Sequence, residues 1–192
     1  MSSTGYVSRP VPPRETEPAH PLGVSEGSGN GHTTGRATHE RGYAMSEVVV
    51  FTLDEQRYGL PVERVERVVR AAEITPLPLA PQTVLGAVTL QGEVVPVLNV
   101  RHCVRHPECE IDPDDQFIVA HTARRKVVLA VDEAVEVLVY SREEMMPVSR
   151  SPEGVECLSG VVKGQDGMIL MLDLDRFLSS DEEQVLDSVM KP

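Results

Sequence analysis

The chain has 192 residues, of which 41% are hydrophobic, enough for one folded domain with a sizeable core and an additional tail. Its apolar runs are far shorter than the roughly 20 residues that a membrane-spanning helix needs, so we expect no direct membrane insertion. A net charge of −12, no Trp and 4% aromatic residues disfavour nucleic-acid binding, which depends on basic side chains and base stacking.

Residues 1–45 differ in composition from the rest of the chain. Of the first 44 residues, 22 are Pro, Gly, Ser or Thr. Such a segment cannot bury enough apolar surface to offset the conformational entropy lost on folding, so we predict a disordered tail. A second hypothesis takes Met45 as the natural start of the protein, and the intact mass of the natively expressed protein would test it.

From residue 46 onward the sequence is typical of β-strands, with short Val-, Leu- and Phe-rich runs bounded by polar turns. The Gln91–Gly92 pair predicts a hairpin turn, since glycine readily takes a positive φ. The valine spacing within residues 62–69 predicts a short helix, or a helix that passes into a strand. The predicted strands are residues 48–53, 58–60, 87–90, 93–100, 117–121, 126–131, 155–162 and 168–174.

Two further helices are predicted in the chain. A Pro-rich linker precedes a short helix at residues 81–85. The last element, residues 180–190, is predicted to be a C-terminal helix with an apolar face. Ser180 stands three residues before Glu183, which is the spacing of a capping box and favours Ser180 as the N-cap.

The second half of the chain repeats the order of the first half. At an offset of 74 residues, Gly86 aligns with Gly160 and Asn99 aligns with Asp173, with apolar residues aligned between them. Each half alone is close to the lower size limit for a stable core. We therefore predict a mainly β fold of two similar small β-barrels that share one core.

Four possible metal ligands lie within eight residues: His102, Cys103, His106 and Cys109. Their spacing departs from the two-plus-two pattern of structural zinc sites, so we favour a short surface helix with Cys103 buried, and we predict no metal or other cofactor. Cys157 is predicted to be a small buried apolar residue. Three cysteines predict no disulfide framework and favour a reducing cytoplasm.

Catalytic motifs are not recognised in the sequence: it has no nucleophile elbow, no phosphate-binding loop and no metalloprotease pattern, so we predict no enzymatic activity. The alternative to a scaffold is a small-molecule- or metal-binding β-barrel protein that uses the His102, Cys103, His106 and Cys109 cluster. Small barrels are generally filled by side chains, and these strands are rich in Val, Leu and Met, which disfavours an internal ligand.

The stretch from Ile74 to Arg101 resembles the signature of the CheW-like domain, which reads roughly as a Pro-rich linker and then GVxNLRGxVVPVIDLR. Residues 86–101 read GAVTLQGEVVPVLNVR. Weaker matches are the Val131–Asp132 pair and the Leu172–Leu174 ending. The resemblance covers residues 47–188, which is the whole segment predicted to fold.

The resemblance implies two five-stranded SH3-like barrels within residues 46–188, packed on a shared core. The first barrel is expected mainly at residues 57–115, and the second mainly at 116–178 together with the first strand, 47–53. The resemblance also implies a non-catalytic adaptor in the cytoplasm, peripheral to receptor arrays. Its implied partners are the regulatory domain of a CheA-type histidine kinase and the cytoplasmic tip of a chemoreceptor, with self-association in rings.

Two positions depart from the family pattern in a related way. Arg67 stands where the family usually has Glu, and Gln91 where it usually has Arg, so both halves of what looks like an ion pair are replaced. Loss of both partners indicates a reorganised site, since losing one alone would strand a charge, and it suggests a divergent chemosensory system. By family position, the receptor or kinase contact is expected at Val65, Arg67, Gln91, Gly92, Val97 and Asn99.

Overall fold

The computed structural model describes residues 44–148 and 155–190, so nearly all of the predicted disordered tail lies outside the described residues. The strands are β1 (Met45–Leu53), β2 (Gln56–Pro61), β3 (Val65–Arg70), β4 (Val84–Leu90), β5 (Glu93–Leu98), β6 (Gln116–His121), β7 (Lys126–Val131), β8 (Glu133–Ser141), β9 (Met146–Pro147), β10 (Leu158–Gly164) and β11 (Gly167–Leu172). The α-helices are α1 (Val100–Cys103) and α2 (Ser180–Met190), and 3-10 turns lie at Val62–Arg64, Arg142–Glu144 and Leu174–Arg176. The predicted mainly β class is confirmed.

The strands form two sheets. A six-stranded sheet has the order β8-β1-β2-β11-β10-β9, and a five-stranded sheet has the order β3-β6-β7-β5-β4. Within each sheet the hairpins are antiparallel, and one parallel pairing joins two hairpins: β2 with β11 in the larger sheet and β5 with β7 in the smaller. The two sheets therefore share one plan, as the internal repeat predicts.

The predicted division of the strands between two barrels at residue 115/116 is wrong. β6 and β7 lie in the five-stranded sheet with β3, β4 and β5, whereas β2 lies in the six-stranded sheet. The reason is a reciprocal crossover: the strand after each leading hairpin joins the other sheet. Thus β3, which follows β1–β2, pairs with β6, and β8, which follows β6–β7, pairs with β1.

The two sheets pack on a common core, which confirms the predicted sharing. This core takes Phe51 and Leu53 from the six-stranded sheet, Leu98 and Leu129 from the five-stranded sheet, and Leu186 from α2, all fully buried. Each such side chain contributes roughly 1.5–3 kcal/mol relative to an exposed one. Two smaller clusters of buried residues lie within the individual sheets, so the shared core is what joins the halves.

The aligned glycines of the repeat occupy equivalent places. Gly86 in β4 pairs with Val97, and Gly160 in β10 pairs with Met171, and each glycine follows a register shift of the bulge type. At both places a short preceding segment pairs with the hairpin, through a bridge at Thr75 in one half and through β9 in the other. The bulge makes room for that segment.

Three local predictions have different outcomes. The β4–β5 turn is confirmed: Gln91 has φ 53° and Gly92 has φ 85°, the two positive values of a tight hairpin turn. The valine-rich segment takes the second alternative, a 3-10 turn followed by strand β3. The predicted helix at residues 81–85 is wrong, because Val84 already begins β4 and pairs with Leu98 after a single turn.

The C-terminal helix is confirmed, but its N-cap is Ser179 rather than Ser180. The Ser179 hydroxyl accepts a hydrogen bond from the Glu182 backbone N–H at 3.3 Å, and the Glu182 carboxylate accepts one from the Ser179 N–H at 2.8 Å. This is a capping box shifted by one residue from the predicted one. In the helix that begins at this cap, the Leu186 side chain packs in the shared core.

Candidate partner-binding surface

Four charged side chains and one histidine meet at one end of the five-stranded sheet, next to the β4–β5 turn. This charge cluster consists of Glu66 and Arg67 of β3, Glu93 of β5, His121 of β6 and Lys126 of β7. Glu66 is its centre: its Oε2 lies 3.2 Å from the Lys126 Nζ and 3.1 Å from the His121 Nε2, and its Oε1 lies 2.7 Å from an Arg67 guanidinium nitrogen. Lys126 also donates to Glu93 at 3.0 Å.

Strand register brings these residues together. In the β6–β7 hairpin, His121 lies opposite Lys126, at the point where both strands leave the core. β3 pairs alongside β6, with Val65 opposite Ala120, so that Glu66 reaches the same end of the sheet. Glu93 is the first residue after the β4–β5 turn. The charge cluster therefore depends on β3, β5 and the β6–β7 hairpin, which are separated from one another in sequence.

The contacts within the charge cluster shift two pKa values in opposite directions. The hydrogen bond from Lys126 is the largest of the effects that hold the pKa of Glu66 below its usual value. Hydrogen bonds to Glu93 and Glu66 raise the pKa of Lys126. Both shifts favour the charged forms, which are the forms that pair Glu66 with Lys126.

The substitution Lys126→Gln is expected to raise the pKa of Glu66 toward its ordinary value, because it removes the main hydrogen bond to the carboxylate. The depressed pKa means that the contribution of Glu66 to stability is present above the pKa of the unfolded chain and is lost as the pH falls through the folded value. An NMR titration of the Glu66 side chain measures this shift. Lys163→Gln, at an exposed position of β10 in the other sheet, should leave the titration unchanged, and equal midpoints in all three proteins would contradict the assignment.

Three of the six predicted contact residues lie at the surface beside the charge cluster. Arg67 belongs to the cluster and is directed to Glu66. Gln91 and Gly92 form the exposed turn that immediately precedes Glu93. The sequence had placed these three near a partner contact by family position, and the structure brings them to one end of the sheet.

The other three predicted contact residues are less accessible. Val97 is 0% exposed in the core of the five-stranded sheet, so its assignment as a contact is corrected. Asn99 is 6% exposed and caps α1 by accepting a hydrogen bond from the His102 N–H at 3.0 Å, so its role in this structure is to stabilise the beginning of the helix. Val65 is partly buried against the shared core.

Sequence reasoning missed Glu66, Glu93, His121 and Lys126. A signal for part of this set existed, because the predicted hairpin of residues 117–121 and 126–131 itself places His121 opposite Lys126. Nothing local indicated that β3 would pair with β6, since this pairing joins segments about fifty residues apart. The acidic centre of the cluster was therefore not predictable from the motif.

The four residues of the predicted His/Cys cluster do not converge. The His102 Nδ1 lies 3.8 Å from a Glu108 carboxylate oxygen, and Cys109 is exposed to solvent. His106 is hydrogen-bonded elsewhere, and Cys103 pairs with a cysteine outside the cluster. Within the described residues, no group of three or more His, Cys, Asp or Glu side chains is arranged to hold a metal ion. The alternative of a metal-binding protein that uses these four residues therefore has no set of ligands among the described residues.

Two cysteines are paired, contrary to the expectation from the cysteine count. Cys103, at the end of α1, is joined to Cys157, which lies just before β10. Cys157 is 0% exposed, as predicted for a buried residue, whereas Cys103 is partly buried. The two residues are 54 positions apart, so their proximity is a product of the tertiary fold.

A partly buried polar network connects the two sheets. Arg101 of α1 donates to Asp54 in the β1–β2 turn at 2.8 Å and to Asp132 between β7 and β8 at 2.7 Å. His106 contacts Asp54 through Nδ1 at 3.1 Å and the Tyr58 hydroxyl through Nε2 at 2.9 Å. Burial of Arg101 acts to lower its pKa, but the hydrogen bonds to Asp54 and Asp132 outweigh burial, so the pKa of Arg101 is raised overall. Burial of the Tyr58 hydroxyl raises the pKa of Tyr58 to about 12.

The interiors of both sheets are filled with apolar side chains. Val50, Val162 and Ile169 are fully buried within the six-stranded sheet, and Phe117 and Val128 within the five-stranded sheet. Filled interiors of this kind leave a ligand-binding role for the barrels without support.

Neither α-helix in the described part of the chain is long and apolar enough to cross a membrane.

Comparison with known proteins gives a consistent result. A family model described as the CheW-like domain matches residues 47–182. The chemotaxis protein CheW of Treponema pallidum is 27% identical over 146 residues, covering 73% of this chain and 86% of the relative. Protein FrzA of Myxococcus xanthus is 26% identical over 154 residues, covering 79% and 96%. The crystal structure of the scaffolding protein TtCheW from Thermoanaerobacter tengcongensis superposes with a TM-score of 0.66 at 24% identity, covering 77% and 96%.

Proposed function

The chain belongs to the CheW-like domain family, and from this premise we propose that it is a non-catalytic scaffold that couples chemoreceptors to a CheA-type histidine kinase. The observation that carries the proposal is the family match over residues 47–182, which includes both sheets. The likeness of its fold to that of a protein described as a scaffold supports it. In this role the chain transmits signals through contacts between proteins and performs no chemical step.

The proposed partners are those that the family implies: the regulatory domain of the kinase and the cytoplasmic tip of the receptor coiled coil, with self-association in rings. We place the protein in the cytoplasm, beside receptor arrays. The likeness to proteins named for chemotaxis and to protein FrzA supports a chemosensory system. Arg67 and Gln91 both differ from the residues usual in the family, which supports a chemosensory system that diverges from the usual type.

We propose that the charge cluster and the adjacent Gln91–Gly92 turn form the partner contact. In the family pattern an acidic residue is expected at position 67, but here position 67 is Arg and the acidic residue is its neighbour, Glu66. Glu66 pairs with Lys126 from β7 instead of with a residue before the turn glycine. The site thus keeps a charged pair, but between different residues from those of the family pattern. This supports a partner whose contact surface also differs from the usual one at the positions that face this pair.

The substitution Arg67→Glu is expected to weaken binding of the kinase or receptor by about tenfold, which corresponds to about 1.4 kcal/mol. It reverses a charge at the proposed contact and removes the cation that pairs with Glu66, and a reversed charge faces partner groups that complement the wild-type arginine, which is costly. A pull-down with the cognate kinase and the receptor tip measures the effect. Thermal unfolding of the variant, measured in parallel, establishes that it is folded.

The matched control is Arg176→Glu, a reversal at a side chain that is 60% exposed and outside the charge cluster. This variant should bind both partners as the wild type does. Unchanged binding of Arg67→Glu to both partners would remove the surface assignment. Failure of the wild-type chain to bind either partner would overturn the proposed function itself.

A further inference from the structure

The Cys103–Cys157 pair joins the two halves of the molecule. Cys103 ends α1, which follows β5 of the five-stranded sheet, and Cys157 precedes β10 of the six-stranded sheet. Their Cα atoms lie 6.5 Å apart, within the range that a disulfide spans without movement of the backbone. A covalent bond at this place therefore closes a link between the sheets, in addition to the shared core and the Arg101 network.

The two cysteines differ in accessibility. Cys157 is 0% exposed, whereas Cys103 is only partly buried. Both line a cleft of about 680 Å³ between α1 and the beginning of α2, with Phe177 and Ser179 also in its lining. Of the two, Cys103 is therefore the more accessible to a small reagent in this cleft. The third cysteine, Cys109, is exposed and does not line the cleft.

We propose that Cys103 and Cys157 are a redox modification site, at which a reversible cross-link forms by exchange with a small-molecule disulfide of the glutathione class. The Cys103 thiolate attacks the disulfide, forms a mixed disulfide and releases one glutathione thiolate. The Cys157 thiolate then attacks the Cys103 sulfur and releases the second glutathione. The cysteines lose two electrons and two protons in all, and one oxidised glutathione becomes two reduced ones.

The cross-link changes the stability of the fold. It closes a loop of 54 residues in the unfolded chain, which lowers the entropy of that state and favours folding. It also fixes α1, which carries Arg101, against the segment that leads into β10. In a reducing compartment the pair stays as thiols, and oxidation locks the contact between the two sheets. The proposal does not depend on the identity of any protein partner.

The experiment compares the full chain equilibrated in reduced glutathione with the same chain in a mixture rich in oxidised glutathione, both in native buffer. Because exposed Cys109 would itself take up glutathione, the mass is measured on Cys109→Ser: we expect oxidation to lower its intact mass by about 2 Da. After unfolding, iodoacetamide should label neither remaining cysteine of the oxidised form and both cysteines of the reduced form. The oxidised form should unfold at a temperature higher by about 5–10 °C.

The wild-type chain should keep the shift in unfolding temperature, because glutathione on exposed Cys109 adds no link between the sheets, and Cys109→Ser should show both the mass change and the shift. Cys103→Ser should lose both; it is the informative variant because Cys103 lies at the accessible end of the pair, whereas Cys157 lies in the core. A stable glutathione adduct in place of the internal bond, disulfide-linked dimers, or equal unfolding temperatures in the two buffers would each overturn the proposal. None of these readouts requires a kinase or receptor.

Discussion

Replacing Arg101 by alanine is expected to lower the free energy of unfolding by about 2–4 kcal/mol. The Arg101 side chain is 9% exposed and lies between Asp54 and Asp132, at 2.8 Å and 2.7 Å. Removing the guanidinium leaves two carboxylates near each other without the cation that both contact. Because Asp54 is 42% exposed, water recovers part of the loss, so the expected cost is less than that of breaking a fully buried pair.

Urea denaturation of both proteins at neutral pH measures this loss. The control is Arg176→Ala, in which the arginine is 60% exposed and pairs with Asp173 one helical turn away at 3.1 Å. A solvated pair of this kind contributes little, so we expect a change below about 0.5 kcal/mol. Losses of similar size in the two variants would show that burial and the two carboxylates do not decide the contribution of Arg101.

The position of Arg101 gives part of the family signature a structural meaning. The signature segment ends at Arg101, and its neighbour Asn99 caps α1, while Val97 is buried in the five-stranded sheet. Arg101 holds the helix to the β1–β2 turn through Asp54, whereas Asn99 stabilises the beginning of the helix and Val97 packs in the sheet. Within residues 86–101, the surface is reached by Thr89 and by residues 91–94, which include the Gln91–Gly92 turn. Resemblance alone could not separate these two roles, because burial is a property of the tertiary fold.

The positions of most strands could be predicted because their signals are local. The β6–β7 hairpin was predicted from two Val-rich runs about a polar turn, and the β4–β5 turn from Gln91–Gly92. The shared core was predicted from the repeat and from size alone. Asn99 and Asp173 were aligned by the repeat, and both cap a helical turn, each accepting from a backbone N–H two or three residues later.

The pairing of strands between the two halves could not be predicted in the same way. The leading hairpin of each half, β1–β2 and β6–β7, sends its next strand into the other sheet, and an apolar periodicity of two fits either partner equally. The contact of Cys103 with Cys157 and the charge cluster are results of that exchange. The helix predicted at residues 81–85 failed for a related reason, since the strand pairing of Val84 with Leu98 outweighs a local preference for a turn.

Replacing Gly86 by alanine is expected to lower the free energy of unfolding by about 3–5 kcal/mol, the largest effect that we predict for a single methyl group. Gly86 has φ +153°, which residues with a Cβ rarely adopt. An added Cβ would overlap the carbonyl oxygen of Thr75 and lie 2.6 Å from the Cγ2 of Ile74. Thr75 makes two backbone hydrogen bonds of 2.9 Å with Ala87, so relief of the overlap requires breaking this bridge.

The internal repeat supplies the control for this prediction. Gly160 occupies the equivalent place in the six-stranded sheet, but its φ is not positive, and an added Cβ would lie 3.0 Å from the flexible Met145 side chain and 3.0 Å from the Met146 carbonyl oxygen. We expect Gly160→Ala to cost about 1–2 kcal/mol in urea denaturation. Gly92→Ala, where φ is +85° and no atom lies within 4 Å, isolates the backbone strain at about 1 kcal/mol. If Gly86→Ala cost no more than these two variants, the overlap with Thr75 would not be the cause, and the bridge between the linker and β4 would contribute little to the fold.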